Sequence, residues 1–200
     1  MARRSRAEEM VQTRLKILDA GKTLFMKKGY RAVTTREIAL AAKITQPALY
    51  HHFQDKEVLY LEVVKNLTAD IQSDMKNILD KKINCEAKLN IVVLNLIEKH
   101  PTNILLMVHD ILNELKKENQ KVLYDLWYRS YFLPIETIFA DFVKNGDIES
   151  QLTSKEATEY FLSAITPLFM PVNLLSTKEI REKVSKRIYL ILFGFMKKEV

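Results

Sequence analysis

Val33–Lys56 reads VTTREIALAAKITQPALYHHFQDK, and this stretch decides the fold. Thr34-Thr35-Arg36-Glu37 has the T-x-x-E spacing of a capping box, with Val33 and Ile38 placed to staple it. A short helix is therefore expected from about Thr35 to Ala42, where Ala39, Ala41 and Ala42 let a neighbouring helix lie close. Lys43-Ile44-Thr45 makes the turn. Thr45 then serves as N-cap of the next helix, Pro47 falls in its first turn where a missing N–H is tolerated, and Ile44 and Leu49 form a second staple. That helix has only Leu49 and Phe53 as an apolar i, i+4 pair, and its other face shows Gln46, Pro47, Tyr50 and His51. Two helices joined by a three-residue turn, the second presenting short polar groups at its N-terminus, meet the requirement of a helix-turn-helix that reads DNA.

The run I-A-x-A-A-x-I-T-x-x-A-L-Y-x-H-F-x-D-K-E, from Ile38 to Glu57, resembles the DNA-binding domain of the tetracycline-repressor (TetR) family of bacterial regulators. An amphipathic helix ending in Phe25, then Lys28-Gly29-Tyr30 and Thr34-Thr35, precedes it in the family's order, so the resemblance covers roughly the first 65 residues. It departs at one position: the family usually has Gly in the turn, where this chain has Lys43. At φ > 0 a Lys costs on the order of 1 kcal/mol relative to Gly.

The resemblance implies an all-α fold: an N-terminal three-helix helix-turn-helix domain over 1–54, and a larger six-helix effector-binding and dimerisation domain over 55–200. It also implies that Thr34, Thr35, Tyr50, His51 and Lys56 mainly hold phosphates, with Arg36 serving phosphates or bases. Gln46 and Pro47 are the expected base readers, Gln by bonding adenine and Pro by touching a thymine methyl. Lys43 and Thr45 complete the candidate DNA-binding set.

Charge agrees. Residues 1–66 hold 13 Lys/Arg against 7 Asp/Glu, and the remaining residues hold 18 of each. The whole net charge of +6 thus sits in the third of the chain with the helix-turn-helix, a basic head on a neutral body. Arg3, Arg4 and Arg6 form a basic arm ahead of the first helix.

Four Gly and five Pro in 200 residues argue for few turns and long helices. The first is expected from about Glu9 to Lys28, with Ile17, Ala20, Gly21, Leu24 and Phe25 as its core stripe and Gly29 as its stop. Others are expected from Asp55 to Leu79, from Cys85 to Lys99 (broken by His100-Pro101), from Thr102 to Lys116, and from Glu118 to Asn145, the last bent by Pro134. Thr153-Ser154-Lys155-Glu156 and Ser176-Thr177-Lys178-Glu179 announce the last two, the second with Leu175 and Ile180 as staple. No segment has strand periodicity.

Those last two helices are too apolar for a monomer's surface. Phe161, Ile165 and Leu168 on one, and Ile188, Leu192 and Phe195 on the other, are assigned to a homodimer interface; a second stripe of Tyr189, Phe193 and Met196 accompanies them. In the middle of the body, His109, Trp127 and Tyr131 are the candidate lining of an effector cavity, with apolar and aromatic walls and a few polar tips. The family resemblance implies a small, often hydrophobic effector.

The N-terminus MARRSRAEEM lacks an apolar h-region, so no signal peptide is expected, and no apolar run reaches the roughly 20 residues that span a bilayer. A single cysteine, Cys85, forbids an internal disulfide and suits a reducing cytoplasm. No H-E-x-x-H, phosphate loop or G-x-S-x-G elbow supports an enzyme. Adjacent His51 and His52 point to different sides of a helix and cannot share a metal, so neither a metal nor a cofactor is expected. The reading is a ligand-responsive regulator that binds a palindromic operator in double-stranded DNA as a dimer. The alternative is a DNA-architectural helix-turn-helix protein without an effector.

Overall fold

A computed structural model describes residues 5–99, 104–147, 151–169 and 176–194. Among these, all regular structure is helical. The chain divides into two compact units, one within Met1–Thr68 and Asn103–Asp125, the other within Ala69–Thr102 and Leu126–Val200.

In the first unit, α1 (Arg6–Lys28) starts one turn before Glu9, because Ser5 caps it in a box with Glu8. It buries Ile17, Gly21 and Phe25. A Cβ on Gly21 would lie 3.2 Å from the Val63 side chain, so the absent side chain lets α1 and α4 (Lys56–Leu79) approach. Gly29 ends α1 at φ 81°, and Phe25, Tyr30 and Tyr60 form an aromatic cluster with centroids 5.0–6.1 Å apart. The same unit contains α2 (Thr35–Ala41), α3 (Gln46–His52), α6 (Ile104–Asn113) and most of α7 (Lys117–Trp127). Its core includes Val33, Ile38, Leu49, Phe53 and Leu59.

In the second unit, α5 (Cys85–Lys99) packs against α8 (Leu133–Asn145) and α10 (Thr177–Phe193), and α9 (Ser154–Ile165) against α8 and α10. The expected capping boxes at Thr153–Glu156 and Ser176–Glu179 both form. Where Pro134 interrupts the long helix, the helix opens into a π-helical turn, Tyr128–Phe132, and Pro134 falls in the first turn of α8. Proline has no N–H and its ring crowds the carbonyl four residues back, so the turn before it widens; the Leu133 N–H reaches the Tyr128 carbonyl, five residues back.

Phe161, Ile165 and Ile188 are buried in the chain's own core, Phe161 edge-on to Phe139 at 5.6 Å. They are therefore inward stripes and cannot themselves be the outer contact expected of them. Periodicity located two stripes on these helices without saying which one faces the body. Leu168 and Leu192 are half-buried, while Tyr160, Tyr189 and Phe193 are exposed. Phe195, Met196, Leu175, Arg3, Arg4 and His100-Pro101 lie outside the described residues. No helix among the described residues is long and apolar enough to cross a membrane.

Candidate DNA-binding interface

The α2–α3 corner is built by local chemistry. Thr34 caps α2: its backbone N–H and hydroxyl both donate to Glu37 Oε2, at 2.8 and 3.0 Å, and its Oγ1 accepts the Glu37 N–H. The hydrogen bond from Lys28 at 2.9 Å, and then those from Thr34, pull the pKa of the Glu37 carboxyl down to about 2. The Thr34 hydroxyl proton is thus committed to the cap.

α2 ends in a Schellman motif. The Ile44 N–H reaches the Ala39 carbonyl at 3.0 Å and the Lys43 N–H that of Leu40 at 3.1 Å, which puts Lys43 at φ 58°. Lys43 is the one non-glycine residue with positive φ among the described residues. The strain expected from the sequence is therefore present, and the Lys43 side chain is exposed.

Thr45 caps α3 by accepting the Ala48 N–H, and Pro47 sits in the first turn. Arg36, Lys43, Thr45, Pro47, Tyr50 and His51 are exposed and Gln46 is half-buried. Thr35 is buried; its Oγ1 lies 3.0 Å from the Tyr50 hydroxyl and accepts a hydrogen bond from Gln46 Nε2 at 3.0 Å. Lys56, half-buried, sets its Nζ 4.3 Å above the Tyr30 ring, and burial pulls its pKa down. The candidate DNA-binding residues therefore fall on α2, α3, their turn and the start of α4.

One contributor was not read from the sequence. The Arg14 guanidinium on α1 donates to the His52 carbonyl at 2.8 Å, pairs with Glu62 and lies 4.3 Å over Phe53. It ties the C-terminal end of α3 to α1 and α4. Nothing in local spacing signals a contact across 38 residues.

The candidate effector residues separate. His109, on α6 in the first unit, has 60% of its side chain exposed and so lines no interior. Trp127 and Tyr131 belong to the second unit, where Trp127 lies 6.3 Å from Phe132. Tyr131 is fully buried on the π turn, and among the described residues its hydroxyl has no hydrogen-bond partner. Its neighbour Ser130 is satisfied, accepting from Gln72 Nε2 and donating to the Leu126 carbonyl. Cys85 lines an open cleft of about 660 Å³ with Asp141, Lys144 and Leu192. Burial first, then Asp141, pushes its thiol up and away from thiolate chemistry. Among the described residues no group of three or more His, Cys, Asp or Glu side chains could hold a metal ion.

Residues 17–63 match the family of bacterial regulatory proteins, tetR family. The transcriptional repressor KstR2 of Rhodococcus jostii is 36% identical over 80 residues, which is 40% of this chain and 39% of the relative. The chain thus aligns with only about two fifths of that relative's length. Folds agree over far more: the regulator FadR of Bacillus subtilis, solved with stearoyl-CoA, has a TM-score of 0.70 at 16% identity and covers 91% of this chain and 99% of its own. AibR, solved with isovaleryl coenzyme A and operator DNA, has a TM-score of 0.72 at 19% identity, covering 91% and 98%. The helix-turn-helix thus lies inside the residues that match the tetR-family model, and the helical fold around it is the one these solved regulators have.

Proposed function

We propose that this chain is a transcriptional regulator rather than an enzyme: a homodimeric repressor, acting in the cytoplasm, that binds a palindromic operator and leaves it when a small hydrophobic effector binds. The observation that carries the reading is the α2–α3 corner, where Arg36, Lys43, Gln46, Pro47 and Tyr50 reach the surface of a rigid, doubly capped helix pair. Such a corner supports entry into a major groove with α3 as the reading helix. Residues 1–54 serve as the DNA-binding head and 55–200 as the sensing and dimerisation body.

Dimerisation is supported by α9 and α10, where Tyr160 is 62%, Tyr189 57% and Phe193 45% exposed. Large aromatics exposed on neighbouring helices suit a two-fold interface. Trp127 and Tyr131 remain candidates for the effector site. The buried Tyr131 hydroxyl supports a ligand that offers an acceptor, since an unmet buried hydroxyl is costly. FadR and AibR hold acyl-CoA molecules, so an acyl thioester is the first effector class to try.

The test uses purified full-length protein, a duplex selected from a randomised pool, and stearoyl-CoA and isovaleryl-CoA as probes. Native mass spectrometry should show two protein copies per duplex, and one of the probes should release the DNA. A protein that binds duplexes as a monomer, or binds none, would sink the reading.

A further inference from the structure

Thr35, Gln46 and Tyr50 come from two helices and meet at one hydroxyl. Thr35 Oγ1 accepts a hydrogen bond from Gln46 Nε2 at 3.0 Å and lies 3.0 Å from Tyr50 Oη. Thr35 is 8% exposed and Tyr50 46%. A threonine hydroxyl has one proton and two lone pairs, and so does a tyrosine hydroxyl. The Thr35–Tyr50 bond consumes one of the two hydroxyl protons. If Tyr50 were the donor, the proton left over would sit on the buried Thr35. With Thr35 as donor it sits on the exposed Tyr50, where a partner can reach it. The order that satisfies every group is therefore Gln46 to Thr35 to Tyr50, with the Tyr50 proton facing outward.

We infer that Thr35 is a positioning residue for base reading, holding the Gln46 amide in a fixed orientation and linking it to a phosphate contact made by Tyr50. This rests on the DNA-binding reading above. It also differs from the role the family resemblance implies for Thr35, a direct phosphate contact. One Gln46 N–H is tied back to Thr35, so the Oε1 carbonyl and the second N–H remain, and these are the acceptor and donor that an adenine edge takes. A long side chain fixed beforehand loses less rotamer freedom on binding. The consecutive hydrogen bonds also polarise one another, so a phosphate accepting from Tyr50 strengthens the grip on Gln46.

The experiment uses the full-length protein and a pool of randomised duplexes. Selection with wild type gives the preferred site, and Gln46→Ala identifies the base-pair step that Gln46 reads. Thr35→Val removes the hydroxyl at nearly constant shape. It should lower the preference at that same step about tenfold, weaken unpreferred duplexes by much less than the preferred one, and cost no further preference in the Gln46→Ala background. Thr35→Ser, which restores the hydroxyl, should restore the preference. Equal loss on every duplex at unchanged preference would mean a plain phosphate contact and overturn the inference, as would additive losses in the double variant. If Thr35→Val loses helical circular dichroism, Tyr50→Phe decides: it removes the acceptor for the Thr35 proton without touching the packed methyl. Its preference at that step should fall, and an unchanged preference overturns the inference. A wild type that binds no duplex would instead bring down the DNA-binding reading itself, a result distinct from all of these.

Discussion

Asp110 Oδ2 on α6 accepts the backbone N–H of Tyr30 at 2.7 Å, so a carboxylate 80 residues further along the chain completes the turn that leaves α1. The contact is reinforced on the same turn, where a Cβ on Gly29 would lie 3.0 Å from Leu106. Asp110→Ala would leave a half-buried N–H without its partner and should destabilise the fold by roughly 1–3 kcal/mol. Asp110→Asn keeps an acceptor and should lose much less. Burial raises the Asp110 pKa, and the Tyr30 N–H only partly offsets it. The stabilisation linked to its neutral form is therefore complete below the ordinary aspartate value and disappears as pH rises through the raised one. Denaturant melts of wild type and Asp110→Asn across pH 3–7 should show this falling limb in the first protein only.

Three capping-box glutamates, Glu37, Glu156 and Glu179, run the other way. Hydrogen bonds from Lys28 and then Thr34 lower the pKa of Glu37, and those from Thr153 and Ser176 lower Glu156 and Glu179. What they contribute is present above the unfolded value near 4.5 and is lost as pH falls through the lowered folded values, about 2 for Glu37. Glutamine keeps the capping geometry without the titration. Melts of the Glu37→Gln, Glu156→Gln, Glu179→Gln variant should fall less steeply below pH 4.5 than those of wild type; parallel acid limbs would assign the acid loss to other groups.

Lys43 sits where the Schellman motif demands a left-handed residue. Lys43→Gly should raise stability by up to about 1 kcal/mol, because glycine removes the Cβ strain. The same substitution takes away an exposed positive charge beside α3. Duplex affinity should fall, and the slope of log affinity against log salt should flatten by about one contact. An unchanged slope would place Lys43 away from the phosphates.

What was legible in the sequence was local. Thr34 and Glu37, Thr45 and Pro47, and the later capping boxes act within four residues, and each forms where spacing placed it. Partnerships across the chain left no such signal: Asp110 with Tyr30, Arg14 with His52, Gln72 with Ser130. Thr35 was readable as part of a cap but not as the meeting point of Gln46 and Tyr50, because that depends on how α2 crosses α3. Periodicity likewise put Phe161 and Ile188 on apolar stripes, and only packing decides that those stripes face inward.

That phase decides how the proposed dimer must be tested. Phe161→Glu would bury an unpaired charge in the chain's own core and cost several kcal/mol of stability, reporting nothing about association. The Tyr189 and Phe193 rings meet at 5.0 Å, tilted by 46°, on the exposed face of α10. The Tyr189→Glu, Phe193→Glu variant should keep its helical circular dichroism, sediment as a monomer and bind a palindromic duplex far more weakly. Wild-type protein sedimenting as a monomer at micromolar concentration would refute the two-fold interface.

Tyr131 offers the sharpest test of sensing. A large buried aromatic is ordinarily core, and Tyr131→Ala would lower stability by about 3–5 kcal/mol whatever its function. Tyr131→Phe separates the roles, because it removes only the hydroxyl that lacks a partner among the described residues. With no bond to lose and a buried polar group deleted, melting should be unchanged or slightly higher. If an effector offers that hydroxyl an acceptor, the variant should need about five- to tenfold more acyl-CoA to release operator DNA, the loss of one ordinary hydrogen bond. Effector-free DNA affinity should not move, since coupling needs only that the ligand distinguish two conformations. Trp127, the single tryptophan, lies four residues before Tyr131 and gives a direct reading of occupancy by its emission. A release curve identical to wild type, with identical Trp127 titration, would leave Tyr131 a core residue and move the effector site elsewhere.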